Sequence, residues 1–152
     1  MKDLRLLLLG LICLAACSRP VSDETFVRTS DRDEAGRYGF VLDMGDSLLT
    51  YDVSLYASFD CGKRRFASFE GTYLRMMWEA PDGPLFEEKV WLGPDVKSDR
   101  NSFSCHLMTV YRNELEPQKY GKWRLYVTVP EDVVEDFRLA GLGVSIARDG
   151  TR

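Results

Sequence analysis

From Tyr51 to Cys61 the chain alternates without a break. Tyr51, Val53, Leu55, Ala57, Phe59 and Cys61 stand on one parity, and Asp52, Ser54, Tyr56, Ser58 and Asp60 on the other. Successive side chains of a strand point to opposite faces, so this pattern demands a strand with one buried and one solvated face. A strand of that kind is stable only within a sheet that covers a second layer. The period recurs from Thr72 to Ala80, with Leu74, Met76, Trp78 and Ala80 together, and from Lys122 to Val129, with Trp123, Leu125, Val127 and Val129 together. Tyr38 to Met44, Phe86 to Leu92, Phe103 to Tyr111 and Leu142 to Ile146 read as further strands.

Between them lie turn and loop signals: Gly45-Asp46, Gly62-Lys63-Arg64-Arg65, Pro81-Asp82-Gly83-Pro84, Lys97 to Ser102 and Asn113 to Gln118. Glu131 to Leu139 has helical spacing at Val133, Val134 and Phe137, with acids at its start as a helix dipole prefers. The sum predicts an all-β, antiparallel β-sandwich, immunoglobulin-like or jelly-roll-like, of about seven strands with one short helix near the C-terminus.

The first residues differ in kind. Lys2 and Arg5 precede an apolar run from Leu6 to Leu14, about half of what a membrane-spanning helix needs. A basic start, a short apolar core and small residues before a cut site describe a secretory signal peptide. Leu14-Ala15-Ala16-Cys17 resembles the lipobox of bacterial lipoproteins. That resemblance implies cleavage before Cys17 and a covalent lipid on its thiol, and acyl chains anchor a soluble domain stably. The expected organisation is a signal peptide over 1–16, a lipid-anchored polar tether over 17–35 and a β-sandwich over 36–152. Ser18 rather than Asp follows the cysteine, so the outer membrane is the expected location in the cell envelope.

The net charge is −4, from 20 basic and 24 acidic residues. A mildly acidic chain lacks the clustered basic face that nucleic acid requires, so no nucleic-acid partner is expected. Cys61 and Cys105 remain once Cys13 is cleaved away and Cys17 is lipidated. Both stand on buried parities, and in an oxidising envelope they are a candidate disulfide.

Candidates for chemistry are sparse. His106, the one histidine, lies mid-strand on the parity opposite Cys105, with Met108 and Val110. There is no nucleophile elbow, phosphate-binding glycine loop or CxxC pair, so neither catalysis nor a cofactor beyond the covalent lipid is expected. Asp31, Asp33 and Gly36 resemble the start of a calcium loop, but Leu42 stands where the closing Glu belongs, and no metal site is assigned. A carboxylate-pair hydrolase is a remote alternative that spacing in sequence cannot test. Tyr56, Tyr73 and Tyr126 fall on outward parities, with Trp91 as a fourth candidate, and form a prospective glycan or partner surface. Lys63-Arg64-Arg65 is a loop tip that could touch acidic lipid or glycan. Asp46-Ser47-Leu48 resembles a short O-glycosylation acceptor, which makes Ser47 a candidate.

Spread over the mature chain is a resemblance to the gliding-motility lipoprotein family GldH. It comprises the lipobox, Tyr51-Asp52-Val53-Ser54-Leu55, the stretch from Leu74 to Pro81-Asp82-Gly83, Gly121-Lys122-Trp123-Arg124-Leu125-Tyr126-Val127, and Leu139-Ala140-Gly141-Leu142-Gly143-Val144-Ser145-Ile146. Arg65-Phe66-Ala67-Ser68-Phe69-Glu70 stands where that family carries an aromatic-proline-aromatic-Asn-Leu motif. The resemblance implies a non-enzymatic accessory lipoprotein of an envelope machine. The expected function is therefore a membrane-anchored envelope lipoprotein acting by protein contact as a scaffold, with envelope proteins as partners. The alternative is a glycan-binding sandwich.

Overall fold

The alternation at residues 51–61 forms the central strand of one of two sheets. The structure, a computed structural model, describes residues 22–94, 98–100 and 103–149. In chain order the strands are β1 (Ser22–Arg28), β2 (Tyr38–Met44), β3 (Thr50–Phe59), β4 (Thr72–Glu79), β5 (Leu85–Leu92), β6 (Ser98–Arg100), β7 (Cys105–Leu115), β8 (Gly121–Thr128) and β9 (Leu139–Asp149). Two short helices, α1 (Lys63–Phe66) and α2 (Glu131–Asp136), and a 3-10 turn at Thr29–Asp31 complete the described elements.

All pairings are antiparallel. One sheet runs β1-β9-β3-β7-β6 and the other β2-β8-β4-β5. With the small β6 set aside, the first strand pairs with the last (β1 with β9), the second with the next to last (β2 with β8), and so inward to β3 with β7 and β4 with β5. This is a long hairpin rolled into two layers, the jelly-roll arrangement, and it decides between the two sandwich types the sequence left open. The inner faces supply one core: Tyr38, Phe40, Leu42 and Met44 from β2, the odd positions of β3, Leu74, Met76 and Trp78 from β4, and Trp123, Leu125 and Val127 from β8 are all buried.

The two ends of the sandwich differ. At one end α1 and α2 close the gap between the sheets. Phe66 and Phe69 pack on Phe59 at 5.2 and 5.4 Å between ring centroids, and Phe69 meets Phe137 at 5.0 Å. The other end carries the connection between β2 and β3, the β4–β5 hairpin and the connection between β7 and β8. The hairpin uses the expected Pro81-Asp82-Gly83-Pro84 turn. Ala80 N–H donates to the Pro84 carbonyl at 2.9 Å, and Gly83 adopts φ +99°, a conformation open to glycine.

Several boundaries move. The expected tether contains β1, whose seven residues pair with β9 from Ser22–Ala147 to Arg28–Gly141, so the folded domain starts before residue 36. β1 contributes little to the core, which is why hydrophobic periodicity does not mark it. The expected loop from Lys97 to Ser102 includes β6. The expected loop from Asn113 overlaps β7, which runs on to Leu115. Lys63-Arg64-Arg65 is a helical turn that buries Phe66 rather than a loop tip. The helix ends at Asp136, and the closing strand spans 139–149, longer than 142–146. The expected signal peptide, Cys17 and the first tether residues lie outside the described residues. No helix among the described residues is long and apolar enough to cross a membrane.

Candidate functional site

The four outward aromatics do not form one surface. Tyr56 lies on the outer face of the β1-β9-β3-β7-β6 sheet, whereas Tyr73, Trp91 and Tyr126 lie on the outer face of the opposite sheet.

On the first sheet, register builds a row across four strands. Phe26 of β1 faces Gly143 of β9, which faces Tyr56 of β3, which faces Met108 of β7. Four strands span about 14 Å. Gly143 makes the row possible, because a Cβ there would overlap the Tyr56 ring closer than 3.0 Å, and a Cβ on Gly141 would overlap Phe26 in the same way. The bare glycines let both rings lie flat on the strand, and they stack with centroids 5.9 Å apart and planes 13° apart. Partial burial, with the Glu24 carboxylate adding to it, raises the Tyr56 pKa. Phe26 (43%), Met108 (40%) and Val110 (54%) stay exposed, giving an apolar band on an otherwise small and polar face.

The second outer face is laced with ion pairs: Arg124 with Glu79 at 3.1 Å and Arg75 with Glu87 at 3.9 Å. Tyr126 is half-buried and capped by the Arg37 guanidinium at 4.7 Å, itself held by Asp33 at 2.7 Å. Tyr73 and Trp91 form a cross-strand pair in edge-to-face contact at 4.9 Å. Trp91 lies across Gly71 and Gly93, where a Cβ would strike its ring.

Between the sheets, at the end away from the helices, a cleft of about 340 Å³ opens. Met44, Trp78, Phe86, Leu115, Pro117 and Trp123 line it, with Arg112, Glu116 and Gln118 alongside. Its polar neighbours are tied to one another. Glu88 of β5 accepts from Trp78 Nε1 at 3.2 Å and from the Tyr111 hydroxyl, and Arg112 Nη2 donates to it at 3.2 Å. Trp123 Nε1 donates to the Lys119 carbonyl at 2.9 Å. Burial, with the Glu88 carboxylate beside it, pushes the Tyr111 phenol up to about 12. The sequence places Trp78 and Trp123 on inward parities and so reads them as core. The cleft lies between residues of both sheets and the connection after β7, a juxtaposition that no local pattern records.

Cys61 and Cys105 do come together, both buried and as thiols rather than a disulfide. Cys105 Sγ lies 3.6 Å from the Cys61 carbonyl oxygen and donates to it. Burial, then the neighbouring Cys105, raises the Cys61 pKa. His106 is exposed on the outer face, with Ser104 Oγ at 3.4 Å from Nε2. Asp33 accepts from Arg37 and from the Ala35 amide, and Asp31 from Arg28 and Ser30, so the calcium-like stretch is a set of local arginine pairs. No cluster of three metal-ligating side chains occurs among the described residues. Ser47 stands exposed between Asp46, whose backbone is held by Tyr51, and Leu48.

No protein-family model matches the chain, and no curated protein is significantly similar to it.

Proposed function

We propose that the chain is a lipid-anchored lipoprotein of a bacterial envelope, held in the outer membrane through Cys17 and acting without catalysis as a protein-interaction or scaffold component, as the likeness to gliding-motility lipoproteins suggests. The supporting observation is the in-register row Phe26–Gly143–Tyr56–Met108 with Val110 beside it. A flat apolar band on an open sheet face suits a flat protein partner, since the centre of an interface is depleted in charge and rich in aromatic residues and Met. The test is chemical cross-linking in intact cells followed by purification of the acylated protein. One or two envelope proteins in near-equal amount, lost with Cys17→Ala, are expected. Recovery of the chain alone overturns the reading.

A glycan-binding module is the second reading. It is favoured by the exposed Tyr73–Trp91 pair, which sits beside Arg75 and Lys89. Retention on envelope glycans that Tyr73→Ala abolishes would replace the first reading with this one.

A further inference from the structure

We propose that the cleft at the open end of the sandwich holds an acyl chain of a phospholipid in the membrane that carries the anchor. The inference rests on the lipid-anchored reading above.

Four observations converge on that occupant. The first is shape. The helix-capped end is filled by Phe59, Phe66 and Phe69, while the opposite end keeps a cleft of about 340 Å³, within the range that takes a small ligand. The second is chemistry. The indole N–H groups of Trp78 and Trp123 are already bonded, to Glu88 and to the Lys119 carbonyl, and Arg112 and Tyr111 are turned to Glu88. The walls therefore offer mainly hydrocarbon and ring faces, with Arg112, Glu116 and Gln118 as the polar groups of the lining. A sugar would leave hydroxyls unpaired against those apolar walls, which is costly, whereas an acyl chain has no polar group to strand.

The third observation is the rim. Leu48 (72%), Leu85 (60%), Phe86 (50%) and Tyr120 (43%) are exposed on the connections and hairpin of this one end. Exposed apolar side chains around the mouth of the cleft fit the boundary between headgroups and acyl chains. The fourth is where the chain enters. Ser22 faces Ala147, Ala147 faces Asp52, and the adjoining Tyr51 faces Leu115, so β1 begins at the cleft end. Four residues separate Ser22 from Cys17, five steps of chain with a reach of at most about 18 Å. A lipid on Cys17 thus holds this end against the bilayer. It turns Lys63-Arg64-Arg65, on the helix-capped end, away from it.

The three tryptophans provide the test. Trp78 and Trp123 line the cleft, and Trp91 lies over Gly71 and Gly93 near the other end. The acylated protein is reconstituted in phosphatidylcholine–phosphatidylethanolamine vesicles whose acyl chains carry bromine at mid-chain, which quenches indole on contact. The Trp91→Phe protein should lose more than half of its emission. The Trp78→Phe/Trp123→Phe protein should lose little, and Phe86→Ser, at a half-exposed rim position, should at least halve the quenching of the first. Protein that floats with the vesicles while Trp91→Phe stays bright overturns the cleft proposal and leaves the anchor standing. Protein that does not float overturns the anchor. The full chain is then titrated with a mid-chain dibrominated fatty acid, and unquenched Trp78 and Trp123 overturn the cleft on their own.

Discussion

Adding one methyl group at Gly143 should unseat Tyr56. The backbone of Gly143 is an ordinary extended strand, so alanine is not strained there, and in an open strand it would gain about 0.5–1 kcal/mol over glycine. The obstacle is the ring of Tyr56, whose Cζ, Cε1 and Cε2 would all lie closer than 3.0 Å to the new carbon. Swinging the ring away breaks its stack on Phe26 and its hydroxyl contact of 3.4 Å to the Thr25 carbonyl. The stack is worth about 0.5–1.5 kcal/mol, and overpacking of this kind costs about 1–3 kcal/mol in all. Gly143→Ala should therefore destabilise by about 2 kcal/mol in the natural chain. In a Tyr56→Ala background the obstacle is gone, and the same change should be neutral or stabilising by up to about 1 kcal/mol. A double-mutant cycle in urea, followed by tryptophan fluorescence, should return a coupling of about 2 kcal/mol or more. Equal costs in the two backgrounds, within about 0.5 kcal/mol, would refute the claim that Gly143 is there to seat the ring.

Other consequences can be read from single groups. The Tyr111 phenol, pushed up to about 12 by burial and Glu88, should be the last tyrosine to ionise in an absorbance titration. Its folded value lies above its unfolded value of about 10, so its contribution is complete below pH 10 and lost as pH rises through 12. Tyr111→Phe should cost about 1 kcal/mol at neutral pH, a difference that shrinks and then reverses as pH rises through 12, because only the natural chain ionises there. Arg32 grips Glu131 with both nitrogens, at 2.9 and 3.2 Å, and holds its carboxyl below the usual range. That pair contributes above the unfolded Glu pKa and fades as pH falls through the depressed value. Glu131→Gln should thus lose no more than about 1 kcal/mol at neutral pH and nothing in strong acid, by thermal unfolding at both pH values. In protein taken from the envelope, Cys61 and Cys105 should be bonded, seen as the loss of two hydrogens in the intact mass. Closing their loop of about 45 residues should stabilise by roughly 4 kcal/mol over the reduced form in urea. A glycan on Ser47 should appear as added mass that Ser47→Ala removes, and identical carbohydrate content in the two proteins would exclude that position.

The fold was legible wherever one face of a strand is buried and the other solvated. That condition holds along β3, β4 and β8, and there the alternation predicts the burial position by position. It fails in β1, an edge strand whose Phe26 lies outside and whose Val27 is only partly covered, so seven paired residues carry almost no period. It also weakens in β9, where Gly141 and Gly143 have no side chains to declare a face. Their meaning lies in the rings of Phe26 and Tyr56, which arrive from other strands. Phe66 and Phe69, three apart, do mark the helical turn at Lys63–Phe66, but the basic run before them suggests a solvated loop.

The candidate surface was half legible for a related reason. Parity says that Tyr56, Tyr73 and Tyr126 point outward, and all three do, but it does not say from which sheet. Sheet membership follows from the rolled hairpin, a pairing of strands distant in sequence. Met108 and Val110 share the outward parity of His106, and two apolar residues at solvent-facing positions were the available signal for the band on that face.

The claim that the Phe26–Tyr56–Met108 face meets a protein partner is tested most directly by placing a photo-reactive amino acid at Met108, and separately at Tyr73 on the opposite sheet, in cells that make the acylated chain. Illumination should give a discrete cross-linked species from position 108 and none from position 73. A species from position 73 alone, or none from either position, would contradict the account.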